Sequence, residues 1–447
     1  MTIWSPRLPE SAEPIYARIA DALERDVRAG VLISGSQLPT HRDLARSLGI
    51  TAVTVTRAYG EAARRGLVES ATGRGTFVRT ARTTSAARPA SEIDLATNVV
   101  NIPLPLPSPA MLDRAAKTLA SATYAAGAGS ERHRAAGAAW LEQSGIRGID
   151  PARVVVTAGT QHAILLAFAA TARAGETILT EAVTYHGAKS IAAMLGIRLQ
   201  PLPLDRYGIV PDALERAVRG RGPKVLYTIP SLHNPTGIIF PDKRRRELAA
   251  IAAKHGITII EDDVCGFLLA ATPPPLATFA PDRTIFLTGL GKALAPSLRV
   301  GYLAAPEAWL PRLNAALAAS VLFASPVTAE LAASWIEDGT AAKIVELKRA
   351  EVALRNRTAR RMLPKATGDA RSGHLWMEIP KRWTPDAFAD EARRRRVRVA
   401  SASAFAVGET PRAVRVCIGS PSSVAELETA LHILGGITEE RFDEPVV

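Results

Sequence analysis

The chain has 447 residues and a mass of 47.5 kDa, enough to bury a sizeable core, and at roughly 150 residues per domain it has room for about three units or one large fold with an appendage. Its two cysteines, Cys265 and Cys417, exclude a disulfide framework, and without a CxxC or Cys/His cluster no metal site is expected, so a reducing, cytoplasmic setting is. The balance of 55 basic against 43 acidic residues, net +12, permits nucleic-acid binding without locating it.

The N-terminal stretch mixes prolines with acids, and no run approaches ~18 apolar residues, so neither a signal peptide nor a membrane span is expected. The charge is concentrated early. Residues 1 to 90 hold 13 Arg, no Lys and 8 acids, and residues 36 to 82 alone hold 8 Arg against Asp43, Glu61 and Glu69. The later runs at 244 to 246 and 393 to 396 read as solvated helix faces.

Ile15, Ile19, Leu23 and Val27 recur every four residues and predict a helix ending at Gly30. A second helix follows Leu38-Pro39, with Thr40 and Asp43 at capping-box spacing and Gly49 as its stop. After a short turn a third helix runs to about Arg65, with Val55, Tyr59 and Ala62 on one face and Arg57 and Arg64 opposite. The run LVESATGRGTFVR predicts two short strands around Gly73-Arg74-Gly75. Helix, tight turn, helix and hairpin with a basic outer face suit a DNA duplex, with Thr40, Arg42, Thr51, Thr54, Arg57 and Arg74 as the contact candidates.

Residues 80 to 92 are rich in Ala, Ser, Thr and Pro without periodicity and predict a linker. From Ile93 to the end, β-branched runs such as VVVT, KVLYTIP, ITIIEDD, TIFLTG and RVGYLAA alternate with Ala-rich stretches, which predicts an α/β domain around a mostly parallel sheet. Along it stand, in order, a strand–Gly–helix turn at Gly159, Thr160 and Gln161, then Tyr185, Asn234, Asp262, Lys292, Arg299 and Arg415.

That order suits pyridoxal 5′-phosphate. Gly159, Thr160 and Gln161 would cradle its phosphate together with Arg299, Tyr185 would stack on its ring, and Asn234 would bond the ring oxygen. Asp262 would keep the pyridine nitrogen protonated, Lys292 would form the Schiff base, and Arg415 would pair with a substrate or effector carboxylate. A P-loop is excluded at Lys292, because Phe286 and Ala293 stand where Gly and Ser/Thr are required.

The run from Gly35 to Arg79 resembles the winged helix of the GntR family of bacterial repressors, through Leu38-Pro39, Arg42, Leu44-Ala45, Leu48-Gly49, Val55, Ala58-Tyr59, Gly66 and the Gly73-to-Val78 segment. Residues 93 to 447 resemble the fold-type I aminotransferases, and the combination resembles the MocR-type regulators. The resemblance implies a winged helix over 1 to 79, a linker, and a PLP-binding effector domain over 93 to 447 with a smaller C-terminal α+β part. It further implies a homodimeric regulator that binds operator DNA, holds the cofactor as a Lys292 aldimine and senses an amino compound. An active aminotransferase with a tethered DNA-binding module, or a regulator that has lost the cofactor, stay open as alternatives.

Three departures from those families stand out. Cys265 replaces a tyrosine of EDDxYG, Gly289 and Gly291 replace the serines of SxSK, and His133 replaces an apolar residue. One reading is weakened cofactor retention. The other is that Cys265 is a small buried residue and Thr288 takes over a phosphate contact.

Overall fold

The computed structural model describes all residues except 1–3, 7, 9–12, 29–31, 33–35, 66, 72–74, 79–91, 122–126, 221 and 441–447. The chain divides into two compact units, Met1–Ala90 and Ser91–Val447. The expected linker falls in the undescribed stretch except for Glu92, which pairs with Arg393 at 3.7 Å.

In the first unit, α1 (Ile15–Arg28), α2 (His41–Leu48) and α3 (Ala52–Arg64) pack around Ile19, Leu23, Leu44, Val55 and Tyr59. Local chemistry fixes the ends of these helices. The Thr40 hydroxyl accepts the Asp43 N–H at 3.2 Å while donating to the Asp43 carboxylate at 2.6 Å, and Gly49 closes α2 in the left-handed region at φ 66°. Thr51 caps α3 in the same way, through the Thr54 N–H at 3.3 Å. Strands β1 (Val68–Ala71) and β2 (Gly75–Val78) pair antiparallel with Val68 opposite Val78. The expected hairpin tip with Arg74 lies outside the described residues, as do Gly30 and Gly66.

The second unit is built on a seven-stranded sheet in the order Val154–Thr157, Gly301–Ala304, Thr284–Gly289, Thr258–Asp262, Val225–Thr228, Thr177–Glu181, Arg198–Leu202. All neighbouring pairs are parallel except those of Gly301–Ala304, which runs antiparallel to both its neighbours. Four of these strands are wholly buried along their length, so they read as continuous apolar runs rather than alternating ones. A smaller part follows, in which the strands His374–Glu378, Ala413–Cys417 and Ala400–Ser401 form an antiparallel sheet backed by the helices Pro385–Arg394 and Val424–Glu439. Among the described residues no helix is long and apolar enough to cross a membrane, and no three His, Cys, Asp or Glu side chains cluster as metal ligands would.

The arginine run at 244 to 246 corrects the sequence expectation. Arg245 is 1% exposed and donates to the carbonyls of Phe240 and Pro230, both at 2.9 Å, because the Asp242–His255 helix turns it into the sheet rather than into water. Its neighbour Arg244 binds the carboxylate of Asp205 through two hydrogen bonds.

Candidate functional site

The parallel strands of the large sheet end near one another and deliver their loops to one cleft. The strand Val154–Thr157 passes through Ala158 to Gly159, whose φ of 91° is open to glycine and strained for other residues, and which opens the helix Thr160–Thr171. A Cβ at Gly159 would stand 3.2 Å from Nη2 of Arg299. Arg299 itself holds a left-handed backbone at φ 49° and donates to the Ala158 carbonyl at 3.4 Å. The helix N-terminus and the guanidinium together make an end of the cleft suited to an anion.

Gln161 accepts a hydrogen bond from the Tyr185 hydroxyl at 2.7 Å, and the Tyr185 ring centre lies 5.9 Å from Nζ of Lys292. Asp262, at the end of its strand, is buried. It accepts from the Tyr227 hydroxyl at 2.7 Å and from the Val264 N–H at 3.1 Å, and burial pushes its carboxyl up to about 6 against the opposing pull of the Tyr227 bond and the Lys292 charge. Asn234 turns its amide oxygen to Nη1 of Arg415 at 2.6 Å, which leaves the amide NH₂ as its donor group. The Nη2 of Arg415 donates to the Ala96 carbonyl at 2.6 Å, its guanidinium lies 4.7 Å from the Phe405 ring centre, and its buried Nε–H has no acceptor among the described residues.

Gly159, Thr160, Gln161, Tyr185, Asn234, Asp262, Lys292 and Arg299 all line one cavity of ≈ 300 Å³. Arg415 lines an adjoining recess of ≈ 420 Å³, which shares Tyr185, Asn234 and Lys292 with the first cavity and adds His186.

The departures noted in the sequence take on specific surroundings. Cys265 is buried in a cluster with Val100, Leu268 and Val352, and its Sγ lies 3.9 Å from Nζ of Lys292. His133 is buried against Glu330, with Nε2 3.1 Å from Oε2. Thr288 does not face the cavity. It is 4% exposed and donates to the Asp263 carbonyl at 3.3 Å, because its strand position points it across the sheet. The hydroxyl next to Gly289 is that of Thr160 instead: a Cβ at Gly289 would sit only 2.0 Å from Thr160 Oγ1.

The sequence reading missed two buried partners. Tyr227, which orients Asp262, is visible only as an apolar strand residue. Lys348, 1% exposed on the helix Thr340–Met362, donates to the carbonyls of Lys292 at 2.7 Å and Leu294 at 3.0 Å, and burial holds its amine down at about 8. Its signal was a lysine on the stripe Ile344, Val345, Val352 and Arg355, where the helix otherwise buries its side chains.

In the first unit Thr40, Arg42, Thr51 and Arg57 are exposed and Thr54 is half-buried. The hydroxyls of Thr51 and Thr54 lie 2.9 Å apart and bond to each other, and the Arg57 guanidinium lies 5.3 Å from the Tyr16 ring centre.

Residues 15–78 match the model of the bacterial regulatory proteins of the gntR family, and residues 91–434 match that of aminotransferase class I and II. A HTH-type transcriptional regulator of Bacillus subtilis, YdeF, is 29% identical across 98% of this chain and 97% of its own length. The chain belongs to the MocR-type regulators of the GntR family. The pyridoxine biosynthesis regulator PdxR of Corynebacterium glutamicum is 30% identical over 67% of each chain. The α-aminoadipate aminotransferase LysN of Thermus thermophilus, solved with N-(5′-phosphopyridoxyl)-L-leucine, aligns at a TM-score of 0.68 and 26% identity, covering 78% of the regulator and 92% of LysN. The regulator is therefore a DNA-binding protein whose larger unit has the fold of the PLP-dependent aminotransferases.

Proposed function

We propose that the regulator holds pyridoxal 5′-phosphate in the ≈ 300 Å³ cavity at Lys292 and senses a small amino compound that enters the adjoining recess. The observation that carries this reading is the convergence of one amine, one anion-binding helix start with Arg299, and one buried carboxylate on a single cavity. When bound, pyridoxal phosphate supplies an aldehyde that condenses reversibly with primary amines.

The protein's own groups have distinct tasks in this reading. Gly159, Thr160, Gln161 and Arg299 would hold the phosphate, and Tyr185 would cover the ring. The Asn234 NH₂ would meet the ring oxygen, and Lys292 would offer the amine that condenses with the aldehyde. Burial raises the pKa of Asp262, and a protonated ring nitrogen would give its carboxylate a cationic partner that favours the charged form. An effector carboxylate or similar small anion would meet Arg415, whose Nε–H is buried without an acceptor among the described residues.

Signalling then requires that the effector bind two arrangements of the regulator with different affinity. In this reading the regulator is a homodimer presenting two winged helices to a two-fold operator, with the boundary between its domains at residues 80 to 92.

Purified regulator should show a visible absorption band that disappears in Lys292→Ala, and amines that shift the band should change operator affinity. Colourless protein that binds DNA equally with and without added pyridoxal phosphate would overturn the proposal. Turnover of an amino acid with a keto acid at ~1 per second or faster would assign an aminotransferase instead.

A further inference from the structure

The outer face of α3 presents methyl groups where polar base-reading side chains were expected. The helix buries Val55, Ala58, Tyr59 and Ala62, so at about 100° per residue its outermost side chains in the first two turns are Val53 and Arg57. Val53 is 71% exposed, more than any other large apolar side chain described in this unit. The threonine hydroxyls around it are engaged at home. Thr51 and Thr54 bond to each other across the cap, and Thr56 Oγ1 donates to the Ala52 carbonyl at 3.0 Å and lies 3.1 Å from Nδ1 of His41.

The second helix of a helix-turn-helix puts its N-terminal side chains against base edges in the major groove, where the C5 methyl of thymine is the apolar feature. The flanking charge suits the same partner: Arg42, Arg46, Arg57 and Arg64 are all exposed on α2 and α3.

We infer that Val53 is a specificity-determining residue that packs on the C5 methyl of one pyrimidine in each operator half-site. In unmodified DNA that pyrimidine is thymine. Arg57 and its neighbours supply sequence-independent attraction to phosphates, and the discrimination at this position is steric and apolar. The inference rests on the DNA-binding unit alone and is independent of what the larger unit binds.

The full-length regulator is used to select duplexes from a random pool, and each thymine of the selected operator is then replaced by deoxyuridine. Wild-type protein should lose roughly 3- to 10-fold in affinity at one thymine per half-site, the scale of one buried methyl. Val53→Ala and Val53→Ser, both folded by thermal unfolding, should bind the thymine and uracil duplexes equally. Cytosine at that position should bind wild type weakly and 5-methylcytosine should recover affinity, which separates the methyl from the thymine carbonyl. The inference fails if no uracil substitution weakens wild type, if the uracil penalty is unchanged in Val53→Ala, or if 5-methylcytosine binds no better than cytosine.

Discussion

Replacing Gly289 by serine tests whether the cleft is built around Thr160. The new Cβ would lie 2.0 Å from Thr160 Oγ1 and 3.3 Å from Thr160 Cβ. Carbon and oxygen atoms do not approach that closely without one of them moving by more than about 1 Å, since favourable contacts lie near 3.5–4.0 Å. Thr160 is the first residue of its helix and is half-buried on the cavity wall, so relief requires its hydroxyl to turn away from residue 289 and into the cavity. Overpacking of this kind costs about 1–3 kcal/mol. If the displaced group is the phosphate cradle, pyridoxal phosphate should bind about 5- to 150-fold more weakly.

The rescue distinguishes this cause from any other. Thr160→Ala removes Oγ1 and leaves two contacts of 3.3 Å, to the Cβ and the backbone N of residue 160, so Gly289→Ser with Thr160→Ala should recover part of the lost stability, a coupling of about 1–2 kcal/mol. Gly291→Ser is the control. Its Cβ would meet nothing nearer than Pro296 Cα at 3.9 Å, and it should stay within ~0.5 kcal/mol of wild type. Urea unfolding of cofactor-free protein gives the stabilities, and absorbance titration gives the cofactor affinities. A Gly289→Ser protein that unfolds like wild type, or one that Thr160→Ala makes worse, would refute the reasoning.

Three further outcomes follow from buried charges and exposed arginines. Burial pushes the Asp263 carboxyl up to about 7, so its folded form binds more protons than the unfolded chain between about pH 4 and 7. The stability it contributes is complete below the unfolded value and is lost as pH rises through 7, and Asp263→Asn should flatten that decline in unfolding midpoints measured from pH 5 to 8. Lys348 has the opposite sign. Its folded amine is held down at about 8, so stability should rise between about pH 8 and 10 in wild type but not in Lys348→Met, which also leaves the carbonyls of Lys292 and Leu294 short of a donor and should cost about 2 kcal/mol at neutral pH. Arg57→Ala should lower operator affinity and reduce the slope of log affinity against log salt by about 1, and an unchanged slope would take Arg57 away from the phosphates.

What was legible in the sequence is what local chemistry decides. Thr40, Thr51 and Gly49 mark helix ends because their side chains or backbone freedom act within four residues, and the caps stand where that spacing puts them. The β-branched runs were legible as strands for the same reason, since burial on both faces leaves no other pattern. Their direction was not. Gly301–Ala304 is apolar throughout whichever way it runs, and its antiparallel course is set by the Pro296–Leu298 turn and Arg299 reversing the chain within a few residues of Lys292. Buried cations were illegible on different grounds. Lys348 is satisfied by the carbonyls of Lys292 and Leu294, which no local window contains, and Arg245 by those of Pro230 and Phe240, 15 and 5 residues back in irregular chain, where no helical or strand spacing marks them as partners.

The same limit applies to the region around the lysine. Read along the chain, Gly289 and Gly291 are two hydroxyls missing beside Lys292, and the cleft looks depleted. In space the two positions differ. Gly291 is open, whereas the volume next to Gly289 already contains the hydroxyl of Thr160, and a serine at 289 would compete with it. A glycine there is thus a condition for the threonine, and a threonine at the helix start returns a hydroxyl to the cavity that also holds Lys292. Gly289 and Thr160 thus share one volume although they lie on two different strand–helix turns. It follows that the glycine alone does not imply loss of cofactor binding, and that under the proposed function the pair, rather than either residue, would be the unit to test for its effect on the phosphate.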